Sequence, residues 1–263
     1  MINTVYDIEY SDGQIVKLEF DEAKHWYKVG GEFVPSVTGV LRATVAKPAL
    51  MYWVANCAGN YVDEWFGEVG NADSTMWIGQ DDVLALKTGV KTAHTKISNS
   101  GIKVGKDLHK YAEDAVSWKL GNSTEIPEPP TDPQTLNSVN AFRNWVKEND
   151  ITWLASEEKI YHRELKFAGT VDAVAEVNDE FCVIDWKTGS GIYEEMYLQC
   201  AAYAKCIEDV YGREVDAFYI LRLDKKTGAY QAVRSPDVDE HFSAFKHSLG
   251  LYHALNNIKN KGK

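Results

Sequence analysis

The chain has 263 residues, of which 44% are hydrophobic and 25% charged, and its formal net charge is −11 at pH 7. This composition is ordinary for a globular protein, and because no apolar run reaches 18 residues, no membrane span is expected. The negative charge argues against a protein that coats nucleic acid by bulk electrostatic attraction. It does not exclude an enzyme that grips nucleic acid locally and uses its own cations.

The N-terminus and the cysteines favour a cytoplasmic protein. Residues 1–7 contain neither a basic segment nor an apolar segment, so no secretory signal is predicted. The four cysteines Cys57, Cys182, Cys200 and Cys206 form no C-x-x-C pair. Buried free thiols in a reducing cytoplasm are therefore favoured over a metal cluster.

Short strands and then a helix are predicted at the start of the chain. The dipeptides Asp12-Gly13 and Gly30-Gly31 are turn signals between strand-like segments over residues 5–34. A helical stretch follows, with Ser36 or Thr38 as the candidate N-cap. We therefore expect N-terminal β-hairpins that lead into a helical region.

The segment from Pro48 to about Leu120 has a mainly helical pattern, because apolar residues recur there at three- and four-residue steps. A loop is predicted after the first helix, from Gly67, Gly70 and Asn71. A proline-rich stretch is the best linker candidate in the chain. The predicted helices cover about 48–65, 80–98, 104–120 and 133–149, with the linker at 121–134.

The second half of the chain changes to strands and helices. Residues 153–187 predict three successive strands, and Asn178-Asp179 is the expected turn into the third. The later predictions are a helix at about 194–211, strands at 215–223 and 229–234, and a helix at 237–258. This order predicts an α/β fold with helices packed on a sheet.

Two carboxylates and a lysine lie on two neighbouring strands of this predicted sheet. Because side chains two residues apart share a strand face, Asp185 and Lys187 point together and Trp186 points to the opposite side. Asp172 lies on the predicted polar face of the preceding strand, and Asp172 and Asp185 are each six residues from the Asn178-Asp179 turn. Pairing about that turn makes the two aspartates cross-strand neighbours, with Cβ atoms ~5 Å apart.

Two aspartates this close repel each other unless a proton or a cation separates them. A hard divalent cation such as Mg²⁺ or Mn²⁺ resolves the conflict, because it takes carboxylate, carbonyl and water oxygens as ligands. Lys187 would then stabilise negative charge at an attacked phosphate. The alternative is a structural salt bridge in an unrelated α/β protein, in which Lys187 neutralises one of the aspartates.

Three weaker features accompany these strands. His109 lies on a predicted helix, where a lone histidine is usually a core or surface residue. Glu157 lies on the strand ahead of the first aspartate, where it could equally be solvated. Gln199 and Tyr203 are four residues apart and share a helical face, which is a common arrangement. Each feature means little alone.

Taken in order, these motifs resemble the PD-(D/E)XK nuclease superfamily in its RecB-like exonuclease branch, which includes phage-type nucleases. The resemblance covers about residues 105–203 and implies a restriction-endonuclease-like core, with a central mixed β-sheet flanked by helices. It implies a strand and helical region at 1–100, packed on a nuclease core at 101–263 as one compact unit overall. The motifs are His109, Glu157, Gly169-Thr170-Val171-Asp172, Asp185-Trp186-Lys187-Thr188-Gly189 and Gln199-x-x-x-Tyr203.

The resemblance also implies a role for each matching residue. One or two Mg²⁺ or Mn²⁺ ions would be held by Asp172, Asp185 and the backbone carbonyl of Trp186, with His109 as a further metal ligand or a group on the phosphate side. The implied catalytic residues are Asp172, Asp185, Lys187, Glu157, Gln199 and Tyr203. The expected contacts to nucleic acid come from Ser36, Lys106, Lys110 and Thr188.

The implied substrate is DNA, as single strands or duplex ends, in recombination, repair or phage DNA processing. The expected location is the cytoplasm of a bacterium or a phage-infected host, with a recombinase, a helicase or a single-strand-binding protein as candidate partner and no membrane. A catalytically silent nucleic-acid-binding or assembly module with the same fold is the alternative. Asp172, Asp185 and Lys187 argue against it, because a binding-only module has no use for two repelling carboxylates.

Overall fold

The computed structural model describes residues 4–69 and 78–261. The chain divides into two compact units: Met1–Val45 together with Gly105–Lys263, and Ala46–Val104. The N-terminal strands therefore group with the C-terminal half of the chain. This division differs from the expected boundary near residue 100, which placed those strands with the helices that follow them.

A four-stranded antiparallel sheet forms the N-terminal part of the first unit. The strand order is β1-β2-β3-β4. Both predicted turns are confirmed, because Gly13, Gly30 and Gly31 connect the strands with positive φ angles that glycine adopts without strain. The strands are β1 (Thr4–Glu9), β2 (Ile15–Asp21), β3 (Trp26–Val29) and β4 (Glu32–Val34).

Helix α1 (Val37–Thr44) follows, and its N-cap is Ser36, whose side chain accepts the Gly39 N–H at 3.0 Å. The capping prediction is thus confirmed for Ser36 and not for Thr38. Helix α2 runs over Pro48–Val69. The predicted loop begins later than Gly67, and its residues Gly70 and Asn71 lie outside the described residues.

One continuous helix, α3 (Gln80–Lys119), replaces the two helices predicted at 80–98 and 104–120. Gly101 and Gly105 weakened the helical pattern where the two predicted helices meet, but an isolated glycine costs a helix only about 1 kcal/mol. The prediction of two helices was therefore wrong. Helix α4 (Pro133–Glu148) is as predicted, because Pro133 occupies the first turn and Asp132 caps the Thr135 N–H at 2.8 Å.

The second unit consists of α2 and the first part of α3. Cys57 and Ala93 are buried within it. A Cβ atom added at Gly89 would lie 2.0 Å from the Tyr61 ring, so glycine allows close packing there. Within the described residues, no helix has the length and apolar character needed to cross a bilayer.

The central sheet has five strands in the order β5-β6-β7-β8-β9. Strands β7 and β8 are parallel, and the other neighbours are antiparallel. The mixed sheet flanked by helices is therefore confirmed. The strands are β5 (Ile151–His162), β6 (Phe167–Val177), β7 (Glu180–Lys187), β8 (Ala217–Leu223) and β9 (Tyr230–Ser235), and the remaining helices are α5 (Glu194–Tyr211) and α6 (Val238–Lys261).

Helices cover both faces of this sheet. One apolar cluster joins the sheet to α1, α5 and α6, and another joins it to α3 and α4. Phe181 and Val183 belong to the first cluster and Trp186 to the second, as strand alternation predicts. The predicted polar face of β6 is corrected, because Val174 is fully buried and Asp172 is 9% exposed. A sheet covered on both sides leaves no solvated face.

The N-terminal sheet packs against β5 and β6 through a third apolar cluster. Tyr10 donates its hydroxyl to the carbonyl of Tyr161 at 2.6 Å. The hydroxyls of Tyr27 and Thr170 are 2.9 Å apart. Because Thr170 is two residues from Asp172 on β6, this sheet supports a strand that carries a candidate site residue.

Gly169 lies where β6 meets α5, and its substitution should destabilise the fold. A Cβ atom there would be 2.7 Å from the Tyr203 ring and 3.4 Å from Ile160. Gly169→Ala should therefore lower the free energy of unfolding by about 1–3 kcal/mol in urea denaturation. Gly250→Ala is the control, because nothing lies within 4 Å of its added Cβ. In helix α6 the control should gain about 0.5–1 kcal/mol, and an equal loss in both variants would contradict the packing explanation.

Candidate functional site

The β6–β7 hairpin has the register predicted from sequence. Ala173 pairs with Ile184, and Val174 pairs with Val183. The same register, continued by one residue, places Asp172 opposite Asp185. The backbone N–H of Trp186 donates to Asp172 Oδ2 at 2.7 Å, which fixes one oxygen of this carboxylate at the end of the hairpin.

Side chains from two other elements converge on Asp172. One ligand atom from each of His109, Glu157 and Asp172 lies within 4.8 Å of the other two. His109 comes from α3, Glu157 from β5 and Asp172 from β6. His109 Nδ1 is 3.3 Å from Asp172 Oδ1. The structure therefore brings together residues that are separated by 63 positions of sequence, from 109 to 172.

A second group surrounds Asp185, which is 1% exposed. Lys187 Nζ is 2.5 Å from Asp185 Oδ2. Gln199 Nε2 donates to Asp185 Oδ1 and to the Tyr203 hydroxyl, each at 3.0 Å. Lys187 Nζ also donates to Gln199 Oε1 at 3.4 Å. The amide of Gln199 thus contacts both members of the buried ion pair, and Tyr203 in turn contacts the amide.

The ionisation of the first group depends on its close contacts. Burial disfavours the His109 imidazolium, but the Asp172 carboxylate outweighs it and raises the pKa of His109 to about 9. Burial also works against the Asp172 carboxylate, yet the His109 cation lowers the pKa of Asp172 below its ordinary value. Burial raises the pKa of Glu157, and the Asp172 charge adds to the effect.

Asp185 behaves differently, because burial raises its pKa to about 6 although the Lys187 ammonium opposes the shift. Among the residues that the structure describes, Asp185 Oδ2 has no hydrogen bond of normal geometry, in spite of the nearby ammonium. A buried carboxylate oxygen without a hydrogen bond is costly unless an ion or water completes it. At Asp185 Oδ2 the Lys187 ammonium, 2.5 Å away, supplies the opposite charge.

The donor set fits a divalent cation. An imidazole nitrogen that has released its proton and two carboxylates within 4.8 Å of one another suit Mg²⁺ or Mn²⁺, and Asp185 adds a third carboxylate nearby. A cation would also relieve the repulsion among these acids. The Trp186 N–H donates to Asp172. Metal coordination by the Trp186 carbonyl remains a prediction.

The four residues predicted to contact nucleic acid differ in their exposure and in their contacts within the protein. Lys110 is exposed and forms ion pairs with Glu113 and Asp114, and Lys106 is exposed on the same helix. Ser36 uses its side chain to cap α1. The Thr188 hydroxyl oxygen would be 3.3 Å from a Cβ at Gly105, so it lies against α3 near His109. Their contacts with nucleic acid remain predictions.

Sequence reasoning missed two side chains next to this site. Lys159 donates to the Glu157 carbonyl at 3.2 Å, and its ammonium is 3.8 Å from the Glu157 carboxylate. Tyr27 reaches Thr170 from the N-terminal sheet. Strand spacing offered a signal for Lys159, because residues 157 and 159 share a face. No local pattern pointed to Tyr27.

Comparisons with known proteins support the family resemblance. Residues 108–260 match the family model described as the PD-(D/E)XK nuclease superfamily. An 85-residue segment is 38% identical to mitochondrial genome maintenance exonuclease 1 of Xenopus tropicalis, and it spans 32% of this chain and 22% of that relative. The chain therefore covers less than a quarter of the length of that relative.

Two solved structures of the alkaline exonuclease LHK-Exo were also found. The complex with dAMP is 15% identical, with a TM-score of 0.30 over 58% of this chain and 84% of that chain. The second, from Laribacter hongkongensis, is 16% identical, with a TM-score of 0.28 over 59% and 86%. Likeness at these TM-scores is too weak to support an argument. The family match alone covers more than half of the 263 residues, and the chain belongs to the PD-(D/E)XK nuclease superfamily.

Proposed function

We propose that this protein is a metal-dependent deoxyribonuclease that hydrolyses phosphodiester bonds, and that it acts as an exonuclease. The observation that carries the proposal is the convergence of His109, Glu157 and Asp172 within 4.8 Å beside the Asp185–Lys187 pair. A structural salt bridge would explain Lys187 beside one aspartate. It would not explain why two further ligand-type side chains converge on the other.

In this proposal His109, Glu157 and Asp172 hold a Mg²⁺ or Mn²⁺ ion, with Asp185 and the Trp186 carbonyl available to it or to a second ion. When bound, such an ion polarises the phosphodiester and activates water for attack. Lys187 directs its ammonium at the charge that develops on the phosphate. Gln199 and Tyr203 support this role, because the Gln199 amide contacts both Lys187 and Asp185.

The grip on DNA is proposed to come from local features rather than from net charge, which is −11. Lys106 and Lys110 lie on the same helix as His109. The N-terminus of α1, capped by Ser36, presents backbone N–H groups that suit a phosphate. Thr188 follows the catalytic lysine directly in the sequence. These contacts would orient the strand next to the metal.

The biological setting is part of the same proposal. A relative named as a mitochondrial genome maintenance exonuclease supports exonuclease action, although the matched segment is 22% of its length. We place the protein in the cytoplasm of a bacterium or a phage-infected host. There it would process DNA single strands or duplex ends in recombination, repair or phage DNA processing, beside a recombinase, helicase or single-strand-binding protein.

Digestion of end-labelled DNA tests the proposal. Linear single-stranded, linear duplex and circular DNA are incubated with Mg²⁺ and with Mn²⁺, and each reaction is repeated with EDTA. We expect linear substrates to be degraded, circles to resist, and EDTA to stop the reaction. Cleavage of circles would replace exonuclease with endonuclease action. Binding of DNA without cleavage in either metal would favour the catalytically silent module.

A further inference from the structure

Glu157 has an unusual backbone conformation for a residue inside a strand. Its φ angle is +52°, in the left-handed region, although it lies in the middle of β5. The residues on either side are regular, since Ser156 pairs with Ala173 and Glu158 pairs with Val171. A non-glycine residue in this region is strained and persists only where its surroundings hold it.

Lys159 is the side chain that contacts this strained residue. Its ammonium donates to the Glu157 carbonyl at 3.2 Å and lies 3.8 Å from Glu157 Oε2. One group therefore touches both the backbone and the carboxylate of Glu157. The Lys159 side chain is 11% exposed, although its residue type is rarely buried without a partner.

The surroundings of Lys159 come from the N-terminal sheet. Its ammonium lies 5.4 Å from the ring centre of Tyr6 and 5.2 Å from that of Phe20. Rings at this distance attract a cation, most strongly where water is excluded. The Glu157 carboxylate lies 3.8 Å from this ammonium. The two rings and Glu157 thus determine where the ammonium lies.

We propose that Lys159 is a positioning residue: held against the rings of Tyr6 and Phe20, it keeps Glu157 in its strained conformation so that the carboxylate faces His109 and Asp172. The inference deepens the proposed function and rests on it, because the carboxylate is held for the metal. Residues 6 and 20 lie outside the matched segment 108–260. The N-terminal sheet, which carries these two residues, would thus help to position Glu157 in the candidate metal site.

A direct role of Lys159 at the DNA backbone is the competing explanation. A lysine that binds a phosphate directly needs its ammonium exposed toward the substrate, whereas this side chain is 11% exposed and its ammonium lies 5.2–5.4 Å from two ring centres. The two roles also make different predictions. A positioning residue acts only through Glu157, but a DNA contact acts independently of it.

A double-mutant cycle separates them. Lys159→Met, Glu157→Gln and the double variant are compared for Mn²⁺ affinity by calorimetry and for kcat and KM on DNA. We expect Lys159→Met to weaken Mn²⁺ binding and lower kcat by about 10- to 100-fold, with KM within about twofold of wild type. Glu157→Gln should lose more Mn²⁺ affinity and more activity than Lys159→Met. The double variant should match Glu157→Gln alone.

The controls keep the outcomes distinct. Lys28→Met removes a lysine that lies 4.5 Å over Phe33 on the same sheet, and it should change nothing. If Lys159→Met does not fold, Phe20→Leu keeps the lysine, removes one ring and should weaken Mn²⁺ binding in the same direction. Unchanged Mn²⁺ affinity in Lys159→Met or Phe20→Leu would overturn the positioning role and leave the proposed function standing. Additive losses in the double variant would do the same. Wild-type protein that neither binds Mn²⁺ nor cleaves DNA would overturn the proposed function itself.

Discussion

Asp172→Asn should abolish both metal binding and DNA cleavage while the fold survives. Asparagine has nearly the same shape and keeps an oxygen that can accept the Trp186 N–H, which Asp172 accepts at 2.7 Å. It has no charge, so the cluster with His109 and Glu157 loses a hard anionic ligand. We expect kcat/KM to fall by on the order of 10³-fold or more.

Thermal denaturation with and without Mn²⁺ measures the metal part of this prediction. A cation that binds only the native state raises the melting temperature of wild type, and Asp172→Asn should lose that rise. Asp216→Asn is the matched control, because Asp216 Oδ2 also accepts a β7 backbone N–H, that of Phe181 at 2.8 Å. An Asp172→Asn protein that keeps its Mn²⁺ shift and cleaves normally would refute the assignment of Asp172.

Lys187→Met should reduce kcat by about 10²–10³-fold, because it removes the ammonium that we propose stabilises the developing charge. Mn²⁺ binding should persist, since Lys187 is not a ligand. Lost cleavage with retained Mn²⁺ binding distinguishes Lys187→Met from Asp172→Asn, which should lose both. Near-normal Mg²⁺-dependent cleavage by Lys187→Met would contradict its catalytic role.

The same variant should lose stability in a pH-dependent way. Without its partner, the Asp185 carboxylate is a buried uncompensated charge, which costs about 3 kcal/mol at pH 8. The pKa of Asp185 is already raised to about 6 with the ammonium present, and losing that cation raises it further. The folded variant then keeps a proton that the unfolded chain releases, so its stability falls as pH rises through this range. Urea denaturation in EDTA should show a smaller loss, relative to wild type, at pH 5 than at pH 8.

Lys205→Met is the matched control for Lys187→Met. Both side chains are 21% exposed, and Lys205 also binds carboxylates, those of Glu208 and Asp239, each at 2.7 Å. Its pair joins α5 to α6 and does not contact the site residues. We expect Lys205→Met to lose stability and to keep full activity. Equal losses of activity in both variants would show that removal of Lys187 acts through stability alone.

The hairpin at the site could be predicted because its information is local. The Asn178-Asp179 turn has positive φ at both residues, and a tight turn fixes the pairing of the strands on either side. The cross-strand position of Asp172 and Asp185 follows from it. The Gln199 and Tyr203 pair was equally accessible, because a four-residue step on a helix sets their contact.

Contacts between distant segments could not be predicted in the same way. Strand spacing relates Lys159 to Glu157, but only the packing of the N-terminal sheet places its ammonium near the rings of Tyr6 and Phe20. The left-handed conformation of Glu157 has no sequence signature, because glycine is the residue that normally marks it. The grouping of the N-terminal strands with the nuclease core depends on the same long-range packing.

Anomalous diffraction from a crystal soaked in Mn²⁺ would show whether His109, Glu157 and Asp172 hold a divalent cation. We expect an anomalous peak among the ligand atoms of these residues, which lie within 4.8 Å of one another. The same soak of Asp172→Asn should show no peak there. A wild-type protein that cleaves DNA in Mn²⁺ but shows its peak elsewhere, or none at this cluster, would rule out a metal site at these three residues.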